Sequence, residues 1–165
     1  WNPGTYDYNG AGTAVIHAAI GGEARPEAFL LKMLFTTITL GAGFKGGEVT
    51  PLFYIGATLG NALGYVLPLP FPLLAGLGFV AVFAGAANTP IASTFMAMEI
   101  FGSEVGVYAG IACVVSYLFS GHTGIYRSQR VGHAKHRHAP EGMKLGELPA
   151  YRKEQQRAAD EQSKP

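Results

Sequence analysis

Hydrophobic residues in this chain come in blocks that are interrupted by glycine and proline rather than by charge. Residues 1–12 (WNPGTYDYNGAG) carry the Gly, Asn, Pro and Tyr of a loop. An apolar stretch at 13–20 predicts a short helix ended by Gly21-Gly22, and Arg25-Pro26 opens a second helical stretch through Leu40 with Lys32 as its only internal charge. Residues 41–47 form a flexible break. Pro51 suits the first turn of the next helix, where its missing N–H would be unpaired anyway, and that helix is expected to reach Val66 before Pro68, Pro70 and Pro72. Residues 73–87 predict a further helix. Asn88-Thr89-Pro90 breaks it, with Thr89 as N-cap and Pro90 at the first position of a helix running to Phe101. Gly102-Ser103-Glu104 separates that helix from a last apolar run at 105–120.

These helices have no polar side. Between Glu48 and Glu99 there is no Asp, Glu, Lys, Arg or His, and residues 105–121 are equally free of them. A helix apolar all round must be covered on every side, and 165 residues are too few to cover several such helices with protein. Lipid can cover them. Several segments are near 15 residues, short of the ~20 that cross a bilayer. Short, Gly/Pro-interrupted apolar segments point to transporters with broken helices and a midplane site. Composition agrees: 48% hydrophobic and 14% charged, against roughly 25% charged in an average globular chain.

A net charge of +1 gives no argument for nucleic acid as a partner. The distribution is more telling, because nine of the twelve Lys/Arg residues lie from Arg127 onward. A basic excess beside a membrane segment marks the cytoplasmic side. Residues 133–165 therefore read as a polar cytoplasmic tail, helical near 151–162 and otherwise disordered. The single Cys113 sits in an apolar run, so there is no disulfide framework and Cys113 reads as a small core residue. The chain opens on Trp1 without an initiator Met or a signal-peptide n-region, as though it starts in mid-protein.

Candidate chemistry concentrates in GAGFKGGEVTPLFYIGATLG, residues 41–60. Gly46-Gly47 lets backbone approach a ligand closely. The helix start that follows leaves unpaired N–H groups on Glu48, Val49 and Thr50 at a positive dipole end, which inside a membrane binds an anion without a full charge. Weak binding by several dipoles also lets the ion leave. A plain Gly-rich turn is the alternative reading. A nucleotide-binding loop fails on detail, since Lys45 precedes two glycines and no Gly-Lys-Ser/Thr follows. No cofactor is expected.

Three stretches, GFKGGEVTPLF with GATLG, ANTPIASTFMAMEIFG and HTGIYRSQR, together resemble the CLC family of anion channels and transporters. GFKGGEVTPLF with GATLG is similar to that family's second-half anion-binding motif. ANTPIASTFMAMEIFG (87–102) resembles its later Pro-opened helix with an acidic end, and HTGIYRSQR (122–130) resembles its last helix, which starts on a Tyr. Order and spacing match along 1–132, the second of the family's two inverted repeats. GGEVTP is similar to the fluoride/proton-exchanging branch, since chloride-transporting members carry an apolar pair at Glu48-Val49. The resemblance implies an all-α integral membrane fold with short, broken and re-entrant helices. It implies an anion held by backbone near Gly47, Glu48 and Val49 and by the hydroxyls of Thr50 and Tyr126. A homodimer through 89–121 is also implied. The family's gating-glutamate segment, Gly-x-Glu-Gly-Pro, does not occur here, so transport needs the missing N-terminal half.

Other residues carry two readings each. Glu48 is either a helix-start carboxylate stabilised by the dipole or a group that handles ions, because an inward carboxylate would repel the anion. From sequence alone Tyr126 beside Arg127 is an interfacial belt residue. Glu99, alone in an apolar helix, either serves function or reaches water at the helix end, and Lys45 is a boundary lysine or one that raises local anion concentration. Gly56, Gly60 and Gly64 suit close helix approach. The histidines at 133, 136 and 138 resemble a metal tract, but Lys135 and Arg137 between them oppose a cation. The expected whole is a halide transporter of the cell inner membrane, not an enzyme. Fluoride export with protons comes first; a chloride channel or chloride/proton antiporter is the runner-up. A non-transporting membrane subunit docking on a partner and a soluble nucleotide-binding enzyme are the readings from other classes.

Overall fold

The computed structural model describes residues 7–8, 10–132, 135 and 140–162. The named elements are α1 (Thr13–Gly21), α2 (Ala28–Gly41), α3 (Val49–Leu63), α4 (Phe71–Ala87), α5 (Pro90–Phe101), α6 (Gly106–Phe119) and α7 (Leu148–Gln162), with a 3₁₀ turn at Ser103–Val105 before α6. Helices form where the apolar blocks lie, with shifts at their ends. α3 begins at Val49 rather than Pro51, which places Pro51 third in the first turn, and stops at Leu63 rather than Val66. α4 begins at Phe71, because Pro72 fits the first turn as readily as Leu73 does. Thr89 holds the N-cap position of α5 without a side-chain capping bond; its carbonyl accepts the Ser93 N–H at 3.0 Å.

Two compact units result, 1–119 and 120–165. In the first, α4 touches α1, α3, α5 and α6, which is why it has no polar side. Its closest partner is α3, and glycine makes that approach possible. A Cβ on Gly56 would run into the backbone of Gly78, and one on Gly60 into the carbonyl of Leu74. Phe53 of α3 stacks on Phe79 of α4 with centroids 4.2 Å apart, and Phe79 meets Phe101 of α5 edge-on at 5.9 Å. One buried cluster joins Ile16, Ala19, Ala24 and Ala28 to Tyr54 and Ala57. A second holds Val80, Ala84, Ala97, Ala109 and Cys113, which places the cysteine in the core.

The outward faces of this unit are apolar. Leu30, Leu34 and Ile38 of α2 are exposed, as are Ile91 and Phe95 of α5 and Val107, Ile111 and Leu118 of α6. Patches of this kind mark contact with lipid or another protein surface. α4, the longest helix at 17 residues, rises ~26 Å at 1.5 Å per residue. Among the described residues no helix is long and apolar enough to cross a membrane.

Part of the tail expected to be disordered ahead of its helix is ordered in the second unit. Val131 accepts from Gly142 N–H at 2.7 Å and donates to Met143 at 2.9 Å, and Leu145 N–H reaches Gln129 at 2.8 Å. This antiparallel pairing centres on Arg130 and Lys144. It brings Val131, Met143, Leu145 and Leu148 into a small apolar cluster. Residues scattered along a polar sequence meet only once the chain turns back, which no local periodicity reveals. α7 is the helix expected in the tail, begun three residues early at Leu148. The histidines at 133, 136 and 138 lie outside the described residues.

Candidate anion site

The first turn of α3 is the centre of the site. Glu48 is its N-cap, with φ −88° and ψ −21° and no side-chain capping bond. A helix leaves its first N–H groups without intrahelical partners, and Pro51 has none to offer. The amides left over are those of Glu48, Val49 and Thr50, the same three expected from sequence although the helix starts two residues earlier. The Glu48 side chain is exposed, while Val49 and Thr50 are half-buried. Gly46 and Gly47 precede the turn with open space where a Cβ would stand, so the backbone is bare on the approach.

This turn faces a cavity of about 400 Å³ within the first unit. Gly46, Gly47, Thr50 and Pro51 form one wall, Thr36 and Thr39 of α2 another, and Tyr8 and Gly10 a third. Lys32 also lines it. The side chain is 3% exposed, and its ammonium donates to the carbonyls of Gly10 at 2.6 Å and Tyr8 at 3.0 Å. It lies 5.0 Å from the centre of the Tyr54 ring, within the range of a cation–π contact. Tyr54 is fully buried, and its ring fills the space that a side chain at position 12 would need. Gly12 answers that crowding and also a φ of +66°. Sequence reasoning counted Lys32 only as a helix charge. A lone cation in an otherwise apolar helix was the signal that could have singled it out.

The remaining candidates stand elsewhere. Lys45 is exposed on the loop before α3 and does not line the cavity, and Glu99 is exposed near the end of α5. Tyr126 belongs to the second unit, is 44% exposed, and accepts the Gln129 N–H through its carbonyl at 3.1 Å. The structure therefore brings together Gly47 and Thr50 as cavity walls, with Glu48 and Val49 in the same turn.

Comparison with known proteins places this architecture. The family model described as voltage gated chloride channel matches residues 4–121. A chloride/fluoride channel protein of Pseudomonas syringae pv. tomato is 56% identical over 154 residues, covering 93% of this chain and 34% of that protein. A voltage-gated ClC-type chloride channel, ClcB, of Escherichia coli is 35% identical over 118 residues, 64% of this chain and 28% of the relative. Among solved structures, a CLC-type fluoride/proton antiporter superposes with a TM-score of 0.69 at 40% identity, over 73% of this chain and 31% of that one. The chain thus spans about a third of the length of the relatives it matches. It belongs to the voltage-gated chloride channel (CLC) family, whose members are integral membrane channels and transporters and not enzymes.

Proposed function

We propose that this chain is the C-terminal part of a membrane halide transporter that moves fluoride in exchange for protons. The observation that carries the reading is the first turn of α3, whose free amides are those of Glu48, Val49 and Thr50 and whose Thr50 lines a cavity of about 400 Å³ together with Gly46 and Gly47. Backbone amides at a helix start attract an anion without a full charge that would trap it. In this reading Gly47, Glu48, Val49 and Thr50 hold the ion, and the family resemblance adds the hydroxyl of Tyr126 as a further donor. A phenol donor suits a small, strongly hydrated anion, since it replaces one hydrogen bond of water. Fluoride is favoured over chloride by the GGEVTP motif and by the name of one similar structure, a fluoride/proton antiporter, while a chloride/fluoride channel protein is compatible with either. The ClcB relatives, named as chloride channels, support chloride as the second reading.

The same reading takes residues 1–132 as half of the membrane domain and 133–165 as a tail on the cytoplasmic side of the inner membrane. The exposed apolar residues of α5 and α6 support a homodimer through 89–121. The outer face of α2 suits the N-terminal half of the transporter.

The test is ion efflux from liposomes holding the full-length transporter, fluoride against chloride, with and without a proton ionophore. Fluoride efflux coupled to proton movement is expected, and Thr50→Ala and Tyr126→Phe each lower it by roughly tenfold, the worth of one hydrogen bond to an ion. Chloride efflux equal to or faster than fluoride moves the assignment to the chloride reading. Absence of both, from folded dimers, overturns transport and favours a docking subunit.

A further inference from the structure

Among the described residues, Lys32 is the one group lining the cavity that carries a full charge. Its burial is costly, because an ammonium taken out of water loses solvation that only good partners replace. The partners present are two carbonyls and one aromatic ring. Among the described residues it makes no ion pair, and Asp7, the acidic residue on the adjoining stretch, is exposed. Two carbonyl dipoles solvate an ammonium but do not neutralise it. Another wall of the cavity is the start of α3, whose helix dipole is also positive. Two positive elements therefore border one space; the Glu48 carboxylate is exposed at the α3 start beside it, and among the described residues no acidic side chain lines the cavity itself.

We infer that Lys32 supplies the fixed positive charge of the anion cavity and so sets how tightly a halide is held. The inference deepens the proposed function and rests on it. Lys32 acts through its charge rather than as a ligand, since its ammonium donates to the carbonyls of Tyr8 and Gly10. A charge held in the wall by carbonyls draws the ion in while amides and hydroxyls make the contacts, so attraction does not become a trap. Through Tyr8 and Gly10 the ammonium also holds the stretch before α1 in place as a third wall. These two roles separate by experiment.

The measurement is the concentration dependence of fluoride and chloride efflux from liposomes holding the full-length transporter. Lys32→Gln keeps an amide donor for the carbonyl ties and removes the charge. Lys32→Arg keeps the charge. The Gln variant is expected to raise the half-saturating halide concentration roughly tenfold, the size of a unit charge acting across such a cavity at an effective dielectric of about 20. Its maximal rate stays within about threefold of wild type, and the Arg variant stays within about twofold in half-saturation. Unchanged half-saturation in the Gln variant overturns the inference and leaves the transporter reading intact. An Arg variant whose half-saturation rises like that expected of Gln also overturns it, and gives an answer from Arg protein alone should the Gln variant not fold. A wild type that passes no halide overturns both readings.

Discussion

The two ends of α3 are built on opposite principles. Its C-terminal body is sealed: Gly56 and Gly60 lie against the backbone of α4, and Asn61 sends its amide to the Ala19 carbonyl at 2.9 Å. Its N-terminal turn is open, with bare glycine before it and a cavity in front of it. The contrast explains how unpaired amides keep a fixed direction. A helix end free to tilt would lose the geometry that makes several weak dipoles act on one ion. Rigidity is supplied by the packed end so that the other can stay exposed to solvent or ion.

The harshest way to break this contrast is to push α3 away from α4. Gly60→Val puts a branched side chain where the Leu74 carbonyl already stands, and no rotamer avoids it. The expected outcome is loss of folded protein, seen as the absence of a monodisperse peak on size exclusion in detergent. Gly47→Ala, at the open end, meets nothing within 4 Å and should fold normally. Folded Gly60→Val protein with wild-type melting would show that the helix approach is not fixed by glycine.

A milder break sits at the same sealed end. Asn61 is fully buried. Asn61→Leu keeps the volume and removes the donor to Ala19, whose carbonyl retains only the Gly22 N–H at 3.2 Å. The cost is about 0.5–1.5 kcal/mol, the net worth of one hydrogen bond, since the Ala19 carbonyl keeps a partner. It should appear as a melting temperature lowered by several degrees with the half-saturating halide concentration unchanged. A shifted half-saturation would mean that the anion site feels the Asn61 tie directly, and that the sealed and open ends are not independent.

How much of this was legible in sequence differs between the same two ends. The glycine spacing at 56, 60 and 64 announced a close helix approach, and the structure shows α4 backbone at the first two and the Phe71 ring at the third. The three free amides were legible because Pro51 marks a first turn whichever residue begins it. Lys32 was not, because its importance comes from Tyr8, Gly10 and Tyr54, which lie 22 to 24 positions away in sequence and are joined to it only by folding. The pairing of Val131 with Met143 was hidden for the same reason. Periodicity reports which face of a helix is apolar, and it reports nothing about where a lone polar group ends up.

The smallest effect is expected in the second unit, where the comparison is between a charge held in a cavity wall and one held near the surface. Lys135 donates to the Gly121 carbonyl at 2.8 Å and to the Ser120 hydroxyl at 3.2 Å, and its backbone N–H donates to His122 Nε2 at 2.9 Å. Burial pushes its ammonium down to about 8 from the ordinary lysine value of 10.5. The folded form therefore holds this proton more weakly than the unfolded chain does. Below about pH 8 both forms are charged and the destabilisation is fully present. Between 8 and 10.5 the unfolded chain keeps the proton longer, so stability rises with pH. Amide exchange of peptides within 120–147, corrected for its intrinsic pH dependence, should show protection growing roughly two- to threefold across that window, a small effect because solvent screens a partly exposed charge. Lys135→Met should remove the slope. A flat wild-type profile would mean that the ammonium reaches water, and that Lys32 alone among the two lysines is held against its solvation.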